Sequence, residues 1–233
     1  MLEPDNIIHR LEHVKADIAA AAERSDRDPA AVKLIAVSKT VDAARVYMAY
    51  EAGHLCFGEN RVQELAIKAD ALPADVDWHM IGHLQRNKAK EAVRLSGLIH
   101  SVDSLELMKK VDSAAAAQHT CQHILLQANV SEEATKSGAG FDTLEDLLSA
   151  AIVLPNITCL GFMTMAPYQA PGERLHAVFA TLRRFRDGME QKHRIAIPEL
   201  SMGMSGDYAI AIEEGATMVR IGTAIFGERL PHP

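Results

Sequence analysis

The amino-acid sequence predicts an α/β protein, a single (β/α)8 barrel of the TIM type with an extra N-terminal helix. Eight short apolar runs alternate with helical patterns from one end of the chain to the other. Several of these runs are apolar throughout, as strands of a parallel sheet buried on both faces are. No linker or low-complexity segment interrupts the 233 residues, so residues 1–233 are expected to form one domain.

The expected strands are short runs bounded by turn or helix signals. They are Lys33–Ser38, His54–Phe57, Trp78–Ile81, Leu98–Val102, His123–Val130, Ile157–Met163, Glu199–Met202 and Met218–Gly222. A helix over about residues 6–24 precedes the first strand. A doubly wound open sheet is the main alternative, because short strands are easily miscounted.

Residues at the expected helix ends support this division of the chain. Asn60 with Gln63, and Asp103 with Glu106, resemble capping boxes at two helix starts. Gly53 and Gly215 follow helical patterns directly, where a left-handed residue commonly ends a helix.

Composition and charge exclude several classes of function. The balance of 24 Lys and Arg against 31 Asp and Glu gives a net charge of -7, which does not favour binding to nucleic acid or acidic membranes. Cys56, Cys121 and Cys159 show neither a disulfide framework nor zinc-ligand spacing, and no metal is expected. Residues 1–10 lack the apolar stretch of a secretory signal, and no run approaches membrane-spanning length. A cytoplasmic protein is expected.

Lys39 is the first candidate for chemistry. It ends the segment that contains the first expected strand, and barrel active sites form at the C-terminal ends of strands. Strand alternation puts Ile35, Val37 and Lys39 on one face. If that face points inward, partial desolvation favours the neutral amine, which is the form that attacks an aldehyde. A lysine that extends to solvent is the alternative, and this segment alone favours it.

The ends of the last two expected strands predict an anion site. Leu200–Asp207 runs from the seventh strand into a helix, and Val219–Thr223 ends the eighth. Glycines and hydroxyls there leave backbone N–H groups to face a phosphate, which barrels commonly bind after strands seven and eight. Turn glycines with Ser205 as a helix N-cap explain the same residues equally well. Arg220 needs either a carboxylate or a ligand acceptor, because its guanidinium stays charged.

Polar residues also follow the second and third expected strands. They lie in Phe57–Arg61 and Gly82–Lys88. Both stretches are dense in polar groups, but a helix cap for Asn60 and an ordinary loop histidine for His83 are the simpler interpretations.

Taken together, these segments resemble the pyridoxal phosphate homeostasis protein family over nearly the whole chain. Several motifs in the right order carry the resemblance, and each alone would be weak. They are Ala36–Lys39, Phe57–Glu64, Trp78–Lys88, the spaced set Asn129, Glu133, Lys136 and Gly138, then Gly161–Met165, Leu200–Asp207 and Val219–Gly227.

The resemblance implies a barrel like the N-terminal domain of alanine racemase, with pyridoxal 5′-phosphate (PLP) as cofactor. Lys39 would form a Schiff base with it, and Arg220 would donate to its pyridine nitrogen. Asn60 and His83 would line the pocket. The phosphate would lie among Ser201, Ser205, Gly222 and Thr223.

Three functions remain open: a PLP-binding homeostasis protein, a PLP-dependent amino-acid racemase, and a barrel enzyme for a phosphorylated metabolite without cofactor. The third gives Lys39 and Arg220 no joint role. Racemases of the resembled type take a second acid/base from a tyrosine in a further domain of a partner subunit, and none of Tyr47, Tyr50, Tyr168 and Tyr208 lies in such a motif. Homeostasis is therefore favoured, with little catalysis, a monomeric state, and PLP-requiring apoenzymes as further partners.

Overall fold

The computed structural model describes residues 5–130 and 137–227, with side chains from residue 7, and shows a closed barrel of eight parallel strands. The strands are β1 (Lys33–Val37), β2 (Cys56–Glu59), β3 (Asp77–Met80), β4 (Leu98–Val102), β5 (Gln122–Ala128), β6 (Ile157–Thr164), β7 (Glu199–Ser201) and β8 (Met218–Ile221). β8 pairs with β1 from Lys33 opposite Met218 to Ala36 opposite Ile221. The predicted barrel is confirmed, and the open-sheet alternative is wrong because this pairing closes the sheet.

Helices surround the barrel and follow the strands along the chain. They are α1 (Asp5–Arg24), α2 (Ala43–Glu51), α3 (Val62–Ala71), α4 (Ala89–Leu95), α5 (Leu105–Ala117), α6 (Phe141–Val153), α7 (Gly172–His193), α8 (Tyr208–Glu213) and α9 (Thr223–Phe226), with short 3-10 turns at Pro29–Ala31 and Arg86–Lys88. The predicted N-terminal helix is α1, which contacts α2, α8 and α9.

Strand alternation separates two apolar layers. Inside the barrel lies a small cluster composed of Ile35, Cys56, Leu98, Leu125, Met163 and Met218. Outward-facing residues such as Phe57, Ile99 and Phe162 pack against the helices in a much larger layer. The interior of the barrel is therefore only partly apolar, and polar residues occupy the rest of it.

Two predicted helix caps are wrong by one residue. The N-cap of α3 is Arg61, because β2 continues two residues beyond its predicted end and the chain turns later than Asn60. Ser104, not Asp103, caps α5 and accepts a hydrogen bond from the N–H of Leu107 at 3.4 Å.

The residues at the ends of α2 and α8 agree with the sequence prediction in part. Gly53 and Gly215 have φ values of +79° and +97° just past α2 and α8, as predicted. Asp207, not Ser205, is the residue that precedes α8.

The three cysteines form no disulfide, and they differ in environment. Cys56 is buried, Cys159 is half-buried, and Cys121 is exposed one residue before β5. None of the helices within residues 5–130 and 137–227 is long and apolar enough to cross a membrane.

Candidate functional site

The predicted site residues lie where strands end on one side of the barrel, the C-terminal rim. Lys39 is two residues past β1, and Gly222 directly follows β8, the neighbouring strand. A Cβ on Gly222 would lie 3.0 Å from the carbonyl oxygen of Val37, so a glycine permits the close approach of these two strand ends. The pairing of β1 with β8 thereby brings Lys39 near Gly222, which is part of the predicted phosphate site.

Two side chains of α3 hold the backbone on both sides of Lys39. Lys68 Nζ donates to the carbonyl oxygen of Ser38 at 2.6 Å. The N–H of Thr40 donates to Glu64 Oε2 at 2.8 Å. Thr40 has a φ of +62°, which costs a β-branched residue energy and persists only where the surroundings hold it. Lys39 is therefore presented from a constrained segment.

A buried ion pair supports this segment from the outer face of the sheet. Glu59 is fully buried, and its Oε1 lies 2.5 Å from Lys68 Nζ and accepts from the Ser38 hydroxyl at 2.6 Å. Burial raises the pKa of Glu59, against the opposing effect of Lys68 and Ser38. Its Oε2 is buried and has no hydrogen-bond partner among the described residues. We call Ser38, Glu59, Glu64 and Lys68 the lysine anchor.

Arg220 is held from inside the barrel. It lies in β8 and is buried, and its Nη1 donates to the Ser201 hydroxyl at 2.5 Å while its Nη2 donates to the carbonyl oxygen of Thr164 at 2.8 Å. Two buried histidines continue the contacts: His100 Nδ1 lies 2.9 Å from Ser201 Oγ, and His79 Nδ1 lies 2.9 Å from His100 Nε2.

The series ends on Asp77, whose Oδ2 lies 3.1 Å from His79 Nε2 at the opposite end of the barrel. We call Asp77, His79, His100, Ser201 and Arg220 the polar column. Arginine can only donate, so the Ser201 hydroxyl accepts from Arg220 and can donate to His100 Nδ1. With that tautomer, His100 donates from Nε2 to His79 Nδ1, and His79 donates from Nε2 to Asp77. The pKa of Asp77 is lowered to about 2, first by the hydrogen bond from His79. The column thus ends on a carboxylate.

His100 in the middle of the column is uncharged, whereas Arg220 at one end is charged. Burial lowers the pKa of His100 well below its ordinary value, so this imidazole is neutral. Burial also lowers the pKa of Arg220, to about 10, which leaves the guanidinium protonated at neutral pH. Within residues 5–130 and 137–227, no carboxylate is within ion-pair distance of Arg220, and hydrogen bonds use two of its five N–H donors. Arg220 can therefore offer donors to a ligand that carries a neutral acceptor.

The loop after β7 is tightly folded beside Arg220. Gly203 has a φ of +97°, and its carbonyl oxygen accepts from the N–H of Arg220 at 3.0 Å. Asp207 Oδ1 accepts from the N–H of Met204 at 2.5 Å, and Ser205 lies half-buried between them. Burial raises the pKa of Asp207, against the effect of its backbone hydrogen bond.

Other predicted site residues lie less centrally. The His83 side chain is 62% exposed, and its Nδ1 lies 4.0 Å from Asp103 Oδ2. Thr223 is exposed at the start of α9, while Asn60 is half-buried. A Cβ on Gly82 would lie 2.3 Å from the Asn60 carbonyl oxygen, so the loops after β2 and β3 touch here.

The spaced motif after β5 is only partly described. The N–H of Asn129 donates to the carbonyl oxygen of Ala139 at 3.0 Å, and Gly138 has a φ of +122°. Glu133 and Lys136 lie outside the described residues.

Sequence reasoning missed Glu59, Lys68, His79 and His100 as parts of the site. Glu59 lies two residues past the predicted end of β2 and Lys68 lies within a helix, so neither position in the sequence indicated burial. The available signal for His79 and His100 was their place within short apolar runs, where alternation points every second side chain into the barrel.

The sequence and the fold are similar to those of known proteins. Residues 9–230 match the family described as alanine racemase, N-terminal domain. A pyridoxal phosphate homeostasis protein of Aquifex aeolicus is 42% identical over 96% of this chain and 99% of the relative.

Solved structures of related proteins have the same barrel fold. PipY of Synechococcus elongatus PCC7942, in a structure with PLP bound, superposes with a TM-score of 0.83 at 37% identity, over 95% of this chain and all of that one. Alanine racemase from Corynebacterium glutamicum shares the fold, with a TM-score of 0.73 at 18% identity over 98% of this chain and 62% of that one. The chain therefore belongs to the alanine racemase N-terminal domain family and, within it, to the pyridoxal phosphate homeostasis proteins.

Proposed function

We propose that this protein binds PLP through a Schiff base on Lys39 and serves intracellular PLP homeostasis by holding, masking or delivering the cofactor. The observation that carries the proposal is that Lys39, two residues past β1, lies beside β8, the neighbouring strand that holds Arg220, and that separate buried hydrogen bonds support each of the two residues. The names of the relatives and the PLP in the PipY structure point the same way.

Lys39 supplies the amine in this proposal. The lysine anchor fixes the backbone on both sides of it, so less conformational entropy is lost when the side chain is immobilised. PLP supplies an aldehyde that reacts with amines, and a protein that holds it on a lysine keeps that aldehyde from other amines.

Arg220 sets how the cofactor ring is held. It would donate to the pyridine nitrogen and, with a pKa of about 10, would not give that proton up at neutral pH. A carboxylate in its place would keep the ring nitrogen protonated and make the ring a stronger electron sink. The arginine therefore suits holding the cofactor better than activating it.

The phosphate would lie against the loop after β7 and the end of β8. Ser205, Gly222 and Thr223 are the residues whose position suits it, with the close β1–β8 approach at Gly222. Ser201 is a poorer candidate than the resemblance implied, because its fully buried hydroxyl already contacts Arg220 and His100. We assign Ser201 to the support of Arg220, and Asn60 and His83 to the outer edge of the pocket.

The racemase alternative needs an acid/base on the second face of the cofactor. The Tyr50 hydroxyl donates to Asp75 and the Tyr208 hydroxyl donates to Asp17, so both already have a carboxylate partner. Tyr168 lies in the loop after β6 and is 87% exposed. This arrangement favours a carrier, which we propose to be a cytoplasmic, monomeric, single-domain protein that exchanges PLP with apoenzymes.

The test is incubation of PLP-loaded protein with single-enantiomer amino acids in deuterated water, followed by chiral analysis and mass spectrometry. We expect exchange of the Cα hydrogen to be slow and non-specific, because a positioned acid/base contributes about 10²–10⁴-fold and we assign none to the second face among residues 5–130 and 137–227. Turnover at ordinary enzymatic rates that Lys39→Ala abolishes would instead establish the racemase, and Tyr168→Phe would show whether that tyrosine supplies the proton.

A further inference from the structure

A second polar cluster lies at the end of the barrel opposite the C-terminal rim. Cys56 and Asp77 are the first residues of β2 and β3 and face each other in the register of the sheet. His79 follows Asp77 on the same strand face. Ligand atoms of these three side chains all lie within 4.8 Å of one another.

The separations fit the edges of a tetrahedral zinc site. Cys56 Sγ lies 3.5 Å from His79 Nε2, and Asp77 Oδ2 lies 3.1 Å from the same nitrogen. With Zn–S of about 2.3 Å and Zn–N or Zn–O of about 2.0–2.1 Å, a tetrahedral angle gives edges of about 3.5 Å for S–N and about 3.3 Å for N–O. A zinc ion would therefore fit among these atoms with small side-chain adjustments.

His79 also has the outer support that metal-binding histidines use. A ligating imidazole usually donates its other ring N–H to a fixed acceptor, which orients the ring. His79 Nδ1 lies 2.9 Å from His100 Nε2, and both rings are buried. Ligation through Nε2 puts the proton of His79 on Nδ1, so His100 accepts there and donates from its own Nδ1 to Ser201. The polar column reverses its direction, and Ser201 still accepts from Arg220.

An ion could reach the cluster from the cavity at the N-terminal mouth of the barrel. Cys56 and Asp77 line a cavity of about 520 Å³ at this mouth of the barrel, together with Lys33 and His54. Lys33 Nζ lies 3.6 Å from Asp77 Oδ2, but its side chain is 49% exposed. Exposed pairs of this kind contribute little to stability, so a divalent cation can displace Lys33 from the carboxylate.

We propose that Cys56, Asp77 and His79 bind one Zn²⁺ ion, with solvent in the fourth position. The Cys56 thiol gives its proton to solvent as the Zn–S bond forms, Asp77 binds as the carboxylate, and His79 binds through Nε2. Thiolate and imidazole ligands select zinc-like transition metals over Mg²⁺ and Ca²⁺, which require oxygen ligands. The site is separate from the PLP pocket, and its existence does not depend on the proposed function.

The test uses tag-free protein titrated with Co²⁺ as a spectroscopic probe and with Zn²⁺ in competition against a chromogenic chelator. We expect one Co²⁺ per chain with a thiolate-to-cobalt charge-transfer band, which one equivalent of Zn²⁺ removes. Cys56→Ser should abolish the band, and Asp77→Asn should weaken Zn²⁺ binding at least about tenfold, since even outer-shell partners are worth about 10–100-fold. Cys121→Ser, which removes the exposed cysteine, is the matched control and should leave both unchanged.

Circular dichroism and the thermal midpoint of each variant show whether it is folded. A band that persists in folded Cys56→Ser, a band lost in Cys121→Ser, or the absence of stoichiometric binding to the wild-type protein would each overturn the proposal.

Discussion

The lysine anchor and the polar column support the two central residues of the site in opposite ways. The anchor lies on the outer face of the sheet and depends on a buried ion pair between Glu59 and Lys68. The column lies inside the barrel and passes through His100, a neutral imidazole, before it reaches a carboxylate at the far end. The anchor places a carboxylate directly against its lysine, whereas the column supports Arg220 through a hydroxyl and an uncharged imidazole.

This difference suits the roles that we propose for Lys39 and Arg220. Lys39 needs a fixed backbone, which an ion pair can provide without touching its amine. Arg220 needs donors that remain available to a ligand, and a carboxylate bound directly to it would occupy them. The Ser201 hydroxyl and the Thr164 carbonyl oxygen hold the guanidinium in place and leave three of its five N–H groups for the ligand.

Breaking the lysine anchor should have the largest effect. Lys68→Met leaves the buried Glu59 carboxylate without its cation, which should cost about 3–5 kcal/mol of unfolding free energy, measured by urea denaturation. Glu59→Gln combined with Lys68→Met should recover part of this loss. Lys192→Met, which removes the cation of an exposed pair with Glu145, is the matched control and should cost about 0–1 kcal/mol. A cost for Lys68→Met no greater than that of the control would refute the anchor.

Acid should affect the stability contributions of the buried histidines and of Glu59 in opposite senses. Burial lowers the pKa of His54, beside the N-terminal mouth, to about 4 and that of His100 well below its ordinary value. Unfolded imidazoles titrate near about 6.5, so below that pH the unfolded chain binds more protons and stability falls as pH falls. Glu59 has a raised pKa, so its contribution is present in acid and declines as pH rises above about 4.5.

The size of the stability loss in acid can be calculated for one histidine, His54. Between about pH 6.5 and 4, His54 alone should account for about 3 kcal/mol of lost stability. Thermal unfolding across this range should show the loss in the wild-type protein and a shallower loss in His54→Gln. His9→Gln, at an exposed position on α1, should retain the wild-type slope. Equal slopes for all three proteins would contradict the burial argument.

Interrupting the polar column should cost less than breaking the ion pair. His100→Phe leaves the buried His79 Nδ1 unpaired, which costs about 1–3 kcal/mol, while Ser201 keeps its contact with Arg220. A purely structural role would change stability alone. A role in holding Arg220 should also weaken PLP binding and change the absorbance spectrum of bound PLP, and His100→Gln, which keeps a donor and an acceptor, should restore part of both. A destabilised variant with unchanged PLP affinity and spectrum would limit the column to a structural role.

The phosphate site should show the smallest of these effects. Gly222→Asp adds negative charge and bulk beside the predicted phosphate, so it should weaken PLP binding by more than about tenfold, or about 1.4 kcal/mol. Gly222→Ala adds only the Cβ that would lie 3.0 Å from the Val37 carbonyl oxygen and separates bulk from charge. Unchanged affinity in folded Gly222→Asp, measured by absorbance titration, would place the phosphate elsewhere.

The fold was predictable from sequence because the signal is repeated along the chain. Apolar runs alternate with helical patterns, and the ends of the strands differ from the predicted ones by no more than two residues. β2 ends later than predicted because Glu59, a charged residue, continues the strand once Lys68 covers it. The position of Lys39 just past β1 was predictable, because the place of a residue relative to one apolar run is local information.

The lysine anchor and the polar column were not predictable, because they depend on contacts between segments that are distant in sequence. Ser201 and His100 are 101 positions apart in sequence, and only closure of the barrel brings them together. Lys68 lies within a helix, where a lysine is usually solvated, and its burial depends on Glu59 from β2. The sequence also gave no reason to group Cys56 with His79, whose shared position follows from the register of β2 and β3.

The most direct test of the central claim is to reduce PLP-loaded protein with borohydride and map the adduct by peptide mass spectrometry. The account predicts that the loaded protein absorbs visible light, that reduction fixes one PLP per chain, and that the adduct lies on the peptide containing Lys39. Lys39→Ala should lose the visible band and the adduct while retaining weak, phosphate-driven binding. An adduct on another lysine, or none after incubation with PLP, would contradict the account.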